Sequence, residues 1–182
     1  MKLHFKTFTY VLSDKIQQLY TLCHDLLYLG MDGSPVYTND LSRLNRDVYR
    51  LCDELYDSGL QGATPEEEGF LCLSLLKGYL ASYCDYGNKQ TRIQAVLQRI
   101  RAVLPQLPAS LLRVRLLVWT YSETFDDSLA REAHALMEAW GDASTWTAEQ
   151  KEIQEELKNF EESREEWEEW EETEGESGEV KE

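Results

Sequence analysis

The 182-residue chain has few of the residues that usually carry catalysis or bind metals. Its three histidines, His4, His24 and His134, lie far apart in the sequence, and no H-E-x-x-H motif occurs. The glycines never take the spacing of a loop that cradles phosphate groups. Carboxylates are abundant, but the helix dipole explains the run Glu66–Glu68 at a predicted helix start. We therefore predict no enzyme, no metal and no cofactor; the alternative is a hydrolase with an unrecognised acidic site.

The chain also lacks a long apolar run. No stretch approaches the roughly 18 unbroken apolar residues that suggest a membrane-spanning helix, and Lys6, Thr7 and Thr9 interrupt the first twelve residues. The four cysteines form no C-x-x-C pair and lie among leucines, which is typical of buried, reduced thiols. We therefore predict a cytoplasmic protein without a secretory signal, a membrane span or a disulfide framework.

What the chain has in excess is negative charge, and this charge is unevenly placed. The formal net charge is −16. Residues 142–182 hold 17 acids and four bases, a net charge of −13, whereas residues 1–141 are nearly balanced. Between Tyr86 and Ser122 there is no acid, and six Lys and Arg residues give that stretch a net charge of +6. The overall charge repels nucleic acids and anionic membranes, so we expect neither as a direct partner.

Apolar residues recur at intervals of three and four through the first 141 residues, which predicts helices, although Val114 and Val118 leave a strand possible in the fifth segment. The six predicted segments are residues 13–30, 40–59, 65–86, 90–104, 110–125 and 126–141. The predicted fold class is all-α, a single compact bundle of about six helices with an acidic, partly helical C-terminal tail. We divide the chain into an N-terminal segment, a helical domain and the tail: residues 1–12, 13–141 and 142–182.

The acidic tail carries an apolar stripe at helical spacing: Ile153, Leu157, Phe160 and Trp167. Like charges four residues apart, such as Glu161 and Glu165, destabilise an isolated helix by roughly a few tenths of a kcal/mol per pair. We therefore expect the tail helix to be firm only when its stripe docks, either on the rest of the chain or on a partner. Beyond about Thr173 the composition predicts disorder.

Two further surfaces are candidates for partner binding. The first is the loop from Gly30 to Tyr37 with its flank, where the candidates are Tyr28, Asp32 and Tyr37. The second is the basic stretch from Lys89 to Arg115, where the candidates are Arg92 and Arg99. The alternative interpretation of the loop is an ordinary connection between two helices. The alternative interpretation of the basic stretch is a solvated face; if it does bind a partner, that partner would be RNA or an acidic protein.

Five segments, in this order, resemble the UpxZ family. They are residues 24–37 (HDLLYLGMDGSPVY), 65–68 leading into 71–76 (PEEE and LCLSLL), 85–90 (DYGNKQ), 107–112 (LPASLL) and 132–136 (EAHAL). The resemblance covers approximately Ile16 to Trp140. The tail beyond Gly141 lies outside it, so expectations about the tail depend on its own residues.

The resemblance implies a regulatory protein that works by protein–protein binding. Members of the UpxZ family antagonise transcription antitermination, and they are encoded in capsular polysaccharide loci of Bacteroides-type bacteria. Each blocks the NusG-like antiterminators of competing loci, so that one capsule is expressed at a time. For this chain we predict that the helical body binds such an antiterminator and keeps it from RNA polymerase or from its leader RNA. We therefore expect a NusG-like antiterminator as the partner, either free or associated with RNA polymerase, and no small-molecule substrate. The alternative is a helical scaffolding or oligomerisation module that uses the tail stripe as its contact.

Overall fold

Seven α-helices make up the described part of the chain, which in this computed structural model comprises the backbone of residues 3–176 and the side chains of residues 14–167. They are α1 (Leu3–Leu27), α2 (Thr38–Asp57), α3 (Pro65–Ala81), α4 (Lys89–Val103), α5 (Leu111–Thr124), α6 (Asp127–Glu138) and α7 (Ala148–Glu176). No strand occurs within these residues, so the all-α prediction is confirmed for them. The count is seven because the tail adds a helix of its own to the six of the body. No helix within residues 3–176 is both long and apolar enough to cross a membrane.

Contacts between residues divide the chain into two compact units rather than the single bundle that the sequence predicted. The N-terminal unit is Met1–Pro108 and contains α1 to α4, and the C-terminal unit is Ala109–Glu182 and contains α5 to α7. The division falls at Pro108, where Pro105 and Pro108 prevent α4 from continuing into α5.

The centre of the N-terminal unit is α3, which packs against α1, α2 and α4. Its apolar residues are buried on all sides of the helix: Leu71, Leu73, Leu75, Leu76 and Tyr79. Gly78 allows the neighbouring helices to approach closely, because a Cβ atom there would lie 2.2 Å from Cys52 Sγ and 3.4 Å from Cys23 Sγ. Close packing on three sides explains why a helix this apolar is stable in water.

The start of α1 differs from the sequence prediction. The helix begins at Leu3, whereas capping chemistry placed its start at Ser13 or Asp14 and left residues 1–12 as a separate segment. Residues 3–12 contain neither glycine nor proline, so nothing in them interrupts the helix. A residue that can cap a helix is therefore not sufficient to begin one.

The end of α3 also differs, since the helix stops at Ala81 and not at Tyr86. Asn45 of α2 holds the chain in a non-helical path at this point. Its backbone carbonyl accepts a hydrogen bond from the Ser82 hydroxyl at 3.0 Å, and its side-chain oxygen accepts one from the Tyr83 amide at 2.9 Å. A contact from another helix therefore ends α3 earlier than its own sequence requires.

In the C-terminal unit, α5 packs against both α6 and α7. A reciprocal cap begins α7: the Thr147 amide donates to Gln150 Oε1 at 2.8 Å, and the Gln150 amide donates to Thr147 Oγ1 at 3.2 Å. The helix continues past Thr173, where disorder was predicted, and ends at Glu176. Residues 177–182 lie outside the described part of the chain.

Candidate partner-binding surfaces

The loop between α1 and α2 is ordered by its own hydrogen bonds. The amide and hydroxyl of Ser34 donate to the Asp32 carboxylate at 2.9 and 2.8 Å, and these bonds lower the pKa of Asp32. Tyr28 is half-buried, with its ring centroid 4.5 Å from that of His24. Tyr37 stands at the N-cap of α2 with an exposed ring. Of the three candidates in this loop, Tyr37 is therefore the one that offers a large apolar surface to a partner.

Two further exposed aromatic residues, Tyr83 and Tyr86, lie in the connection between α3 and α4. Sequence reasoning missed them because it extended the third helix to Tyr86 and so placed both residues inside it. The signal that could have found them is the run Tyr83–Gly87, in which Asp85 and Gly87 are typical of a loop.

Arg92 does not lie on a free basic face. Its side chain is largely buried, and its guanidinium contacts Asp53, donates to Asp57 at 2.9 and 3.2 Å, and donates to the Tyr79 hydroxyl at 3.3 Å. The guanidinium carbon also lies 5.0 Å from the centre of the Tyr56 ring. These contacts tie α4 to α2 and α3, so the residue holds the N-terminal unit together.

Arg99 is also paired with a carboxylate of its own unit. Its Nε and Nη2 atoms donate to the two carboxylate oxygens of Glu68 at 2.7 and 3.0 Å, and Nη2 also donates to the Leu60 carbonyl at 2.9 Å. Glu68 accepts a further bond from the Gly62 amide at 2.7 Å. Burial acts to raise the pKa of Glu68, but the bonds from Arg99, Gly62 and Cys72, with the charge of Arg99, outweigh it and hold the pKa below its usual value. The pair borders a cleft of about 370 Å³.

The basic residues of α5 also contact acids. Arg113 pairs with Glu132 of α6, and its Nε donates to that carboxylate at 3.0 Å. Arg115 is buried and contacts two carboxylates of α7, Glu152 at 2.7 Å and Glu149 at 3.5 Å. The stretch that reads as +6 in the sequence therefore has four of its arginines paired with carboxylates in the folded chain.

The apolar stripe of the tail is divided between the interior and the surface. Ile153 and Leu157 are buried in the C-terminal unit. The half-buried Phe160 packs against Trp119 of α5, with the ring centroids 5.3 Å apart. Between them, the buried Glu156 carboxylate accepts a hydrogen bond from the Trp119 indole at 3.0 Å. Trp167, about two turns beyond Phe160, is exposed. A partner could therefore reach Trp167 directly, whereas Ile153 and Leu157 become accessible only if α7 separates from α5.

Thiol chemistry is suppressed by burial. Cys23, Cys52 and Cys72 are buried and Cys84 is half-buried, and all four are free. Burial raises the pKa of Cys23 and of Cys72 to about 12, so both thiols stay protonated and weakly nucleophilic at neutral pH. Within the part of the chain that the structure describes, no three His, Cys, Asp or Glu side chains are grouped so that they could hold a metal ion.

Comparison with known proteins identifies the family. The model of the UpxZ family of transcription anti-terminator antagonists matches residues 16–122, which is more than half of the chain. The chain belongs to this family. The role of the family is regulatory, and an antagonist of an antiterminator implies a protein partner.

A solved relative extends the likeness beyond the family model. The crystal structure of a transcription anti-terminator antagonist UpxZ from Bacteroides uniformis is 44% identical, with a TM-score of 0.77, and the match covers 94% of this chain and 99% of that one. Because so much of the chain is covered, the likeness extends into the acidic tail. No curated protein matches the chain.

The family model ends inside α5, so it separates the candidate residues into two groups. The loop and α4 candidates lie within the matched residues, together with Tyr83 and Tyr86. The candidates on α7 lie outside them. A function shared by the whole family is therefore better sought on the N-terminal unit than on α7.

Proposed function

We propose that this protein binds a NusG-like transcription antiterminator of a competing capsular polysaccharide locus and keeps it from acting on RNA polymerase. The inhibition takes place in the cytoplasm and needs no chemistry. The family match over residues 16–122 is the observation that carries the proposal. The 44% identity of the Bacteroides uniformis relative, over nearly the full length of both chains, supports it.

The charges of the folded chain favour a protein partner over RNA. A phosphate backbone is bound by exposed Lys and Arg side chains. Arg92, Arg99 and Arg115 instead pair with carboxylates of their own unit, and all three are buried or largely so. The protein therefore acts by masking a surface of the antiterminator and not by competing for RNA.

The alternative of a scaffold that associates through its tail is less well supported. That function needs the apolar stripe of α7 to be free for a second molecule. Ile153 and Leu157 are instead buried in their own C-terminal unit, and Glu156 bonds to Trp119 there. Light scattering on the full chain and on a chain without the tail checks this directly, since an oligomer that is lost with the tail would favour the scaffold.

The test is transcription reconstituted from purified components. The reaction contains RNA polymerase, a template with a capsular leader and terminator, and one NusG-like antiterminator from the same or from a competing locus. We expect the protein to lower terminator readthrough with the competing antiterminator and to leave a template without a terminator unaffected. Unchanged readthrough at a saturating concentration would contradict the proposal.

The acidic end of α7 has a separate role in this proposal, which is to attract a basic antiterminator over distance. A chain that ends at Trp167 retains Ile153, Leu157 and Arg164, whose contacts hold α7. It loses eight of the 17 acids of residues 142–182. We expect it to associate several-fold more slowly than the full chain at low salt and at a similar rate at high salt. Equal association rates at low salt would show that the tail does not steer the partner.

A further inference from the structure

Two exposed aromatic side chains lie where α7 passes the end of α5. Phe125 and Trp167 are 45% and 63% exposed, whereas the other large apolar side chains described in the C-terminal unit are buried or half-buried. We propose that these two rings, the aromatic patch, receive Lys or Arg side chains from a basic segment of the antiterminator. The inference rests on the proposed function and adds to it a point of contact and its chemistry.

Arg164 of α7 joins the two segments that carry the rings. Its guanidinium donates to the Phe125 carbonyl at 3.2 Å and contacts Asp127, the first residue of α6. Trp167 follows Arg164 by three residues, so it lies about one turn further along α7 on a neighbouring side of the helix. The two aromatic residues of the patch therefore flank Arg164.

Trp167 continues the side of α7 that packs on α5. It lies seven residues after Phe160, and positions seven apart share one side of an α-helix. The Phe160 ring packs against Trp119, but α5 ends at Thr124, and the residue after that end is the one that Arg164 contacts. The packed side of α7 thus extends past the helix that covers it, and Trp167 is the side chain exposed there.

Phe125 has a backbone conformation that favours glycine. Its φ of 50° and ψ of 31° lie in the left-handed region, and its amide donates to the Tyr121 carbonyl at 2.8 Å at the end of α5. Helices commonly place glycine here, because a Cβ atom is strained in this conformation. The ring packs edge-on against Tyr121, yet nearly half of the side chain stays exposed. Strained residues cluster at sites of binding, which is where an exposed, strained phenylalanine is useful.

The surroundings of the aromatic patch are strongly acidic. Residues 123–131 and 158–176, which contain the patch and its flanks, hold 13 acids and three bases. Two of the bases, Arg164 and Lys158, each lie beside a carboxylate of this same region. With the third base, the exposed Arg131, counted in full, the net charge of the region is −10.

This charge selects the class of occupant. A second copy of this acidic chain, RNA and an anionic membrane are all negatively charged, so the patch repels them. A Lys or Arg side chain fits instead, because its aliphatic stem packs on an aromatic ring while its cation is attracted by the ring face and by the surrounding carboxylates. Tryptophan is the aromatic side chain that attracts cations most strongly. A basic segment of the antiterminator therefore matches both the rings and the charge.

The aromatic patch lies outside the residues that the family model matches, 16–122. It therefore adds a contact to the one that the family shares and does not replace it. Its effect also differs from that of the acids beyond Trp167, which act over distance on the association rate. A direct contact acts mainly on the dissociation rate.

The test measures binding of a purified NusG-like antiterminator to the full chain by surface plasmon resonance. We expect Trp167→Ala to raise the dissociation rate about fivefold and to change the association rate by less than about twofold. Trp167→Phe keeps an aromatic ring and should dissociate more slowly than Trp167→Ala. Glu162→Gln is the control, because it removes a charge about 140° around the helix from Trp167 and should leave the dissociation rate unchanged.

Phe125→Gly tests the second ring while keeping the backbone. Glycine adopts the left-handed conformation without strain, so we expect the urea midpoint of the variant to stay close to that of wild type. We expect its dissociation rate to rise about threefold. A purely structural role for Phe125 predicts an unchanged dissociation rate.

The outcomes separate this inference from the proposed function. Wild-type chain that binds no antiterminator overturns both. Wild-type dissociation rates for folded Trp167→Ala and Phe125→Gly overturn the aromatic patch alone, since the readthrough assay still decides the proposed function. Rings that prove necessary for binding RNA, or for forming a dimer, and not for binding the antiterminator, also overturn the patch.

Discussion

The packing of α7 against α5 can be tested with one substitution, Leu157→Ala. Leu157 is 1% exposed and lies one turn from Ile153, which is also buried. If this face of α7 belongs to the core of the C-terminal unit, shortening Leu157 removes apolar contacts and leaves a cavity. If α7 instead kept its stripe available for a partner, the substitution would have little effect on stability.

The expected loss of stability follows from burial. Replacing a fully buried leucine by alanine costs about 2–5 kcal/mol, and we expect about 3 kcal/mol here. A unit the size of Ala109–Glu182 has a free energy of unfolding on the order of 4–11 kcal/mol. With a urea dependence of about 1 kcal/mol per molar for a unit this small, the midpoint of unfolding falls by about 3 M.

Tryptophan fluorescence reports this unit selectively. All five tryptophans of the chain lie in residues 109–182, whereas nine of the ten tyrosines lie in residues 1–108. Urea denaturation followed by tryptophan emission therefore measures unfolding of the C-terminal unit. Hydrogen exchange of peptides from residues 1–108 measures the N-terminal unit in the same sample.

The control is Glu165→Ala, which changes an exposed residue of the same helix. We expect its free energy of unfolding to stay within about 0.5 kcal/mol of the wild-type value, so its urea midpoint should shift by no more than about 0.5 M. A Leu157→Ala midpoint equally close to wild type would refute the packing of α7 and would return its stripe to the candidates for partner binding.

Two further predictions concern the N-terminal unit. Gly78→Ala places a methyl group 2.2 Å from Cys52 Sγ. We therefore expect the free energy of unfolding of the N-terminal unit, measured by hydrogen exchange, to fall by about 1–3 kcal/mol. Unchanged exchange would contradict the close approach at this glycine. Glu68→Ala leaves Arg99 without its carboxylate and should cost about 2–3 kcal/mol at pH 7, with a smaller loss for Glu68→Gln. Because the pKa of Glu68 is lower in the folded chain than its ordinary 4.5, its stabilising effect is complete above about pH 4.5 and is lost as the pH falls through the folded value. Wild type should therefore lose more stability than Glu68→Gln under acid, and equal losses would contradict the pairing.

Local chemistry predicted most helix starts correctly. Thr64 accepts a bond from the Glu67 amide at 3.2 Å, and Asp126 accepts one from the Ser128 amide at 2.9 Å, so both residues cap helices as their positions in the sequence indicate. These contacts join residues two or three apart, which is why they can be recognised without a structure. The resemblance to the UpxZ family also depended on local segments, and the family match confirms it.

The pairing of the basic stretch could not be predicted from the sequence, for the opposite reason. Arg92 pairs with Asp53 and Asp57, and Arg99 pairs with Glu68, across separations of 31 to 39 residues. Net charge counted along the chain cannot show that an acid from another helix lies beside each guanidinium. The same limit applies to Tyr83, whose exposed position depends on a bond from Asn45, 38 residues earlier.

By itself, the sequence determined that this protein is all-α, where most of its helices lie, and to which family it belongs, because periodicity, caps and short motifs are properties of neighbouring residues. Only the tertiary structure decided that the basic stretch is paired internally, that α7 packs on α5, and that Tyr83 and Tyr86 remain at the surface. Each of these depends on which distant residues the fold brings within a few ångströms of one another. Local sequence patterns do not show such long-range contacts.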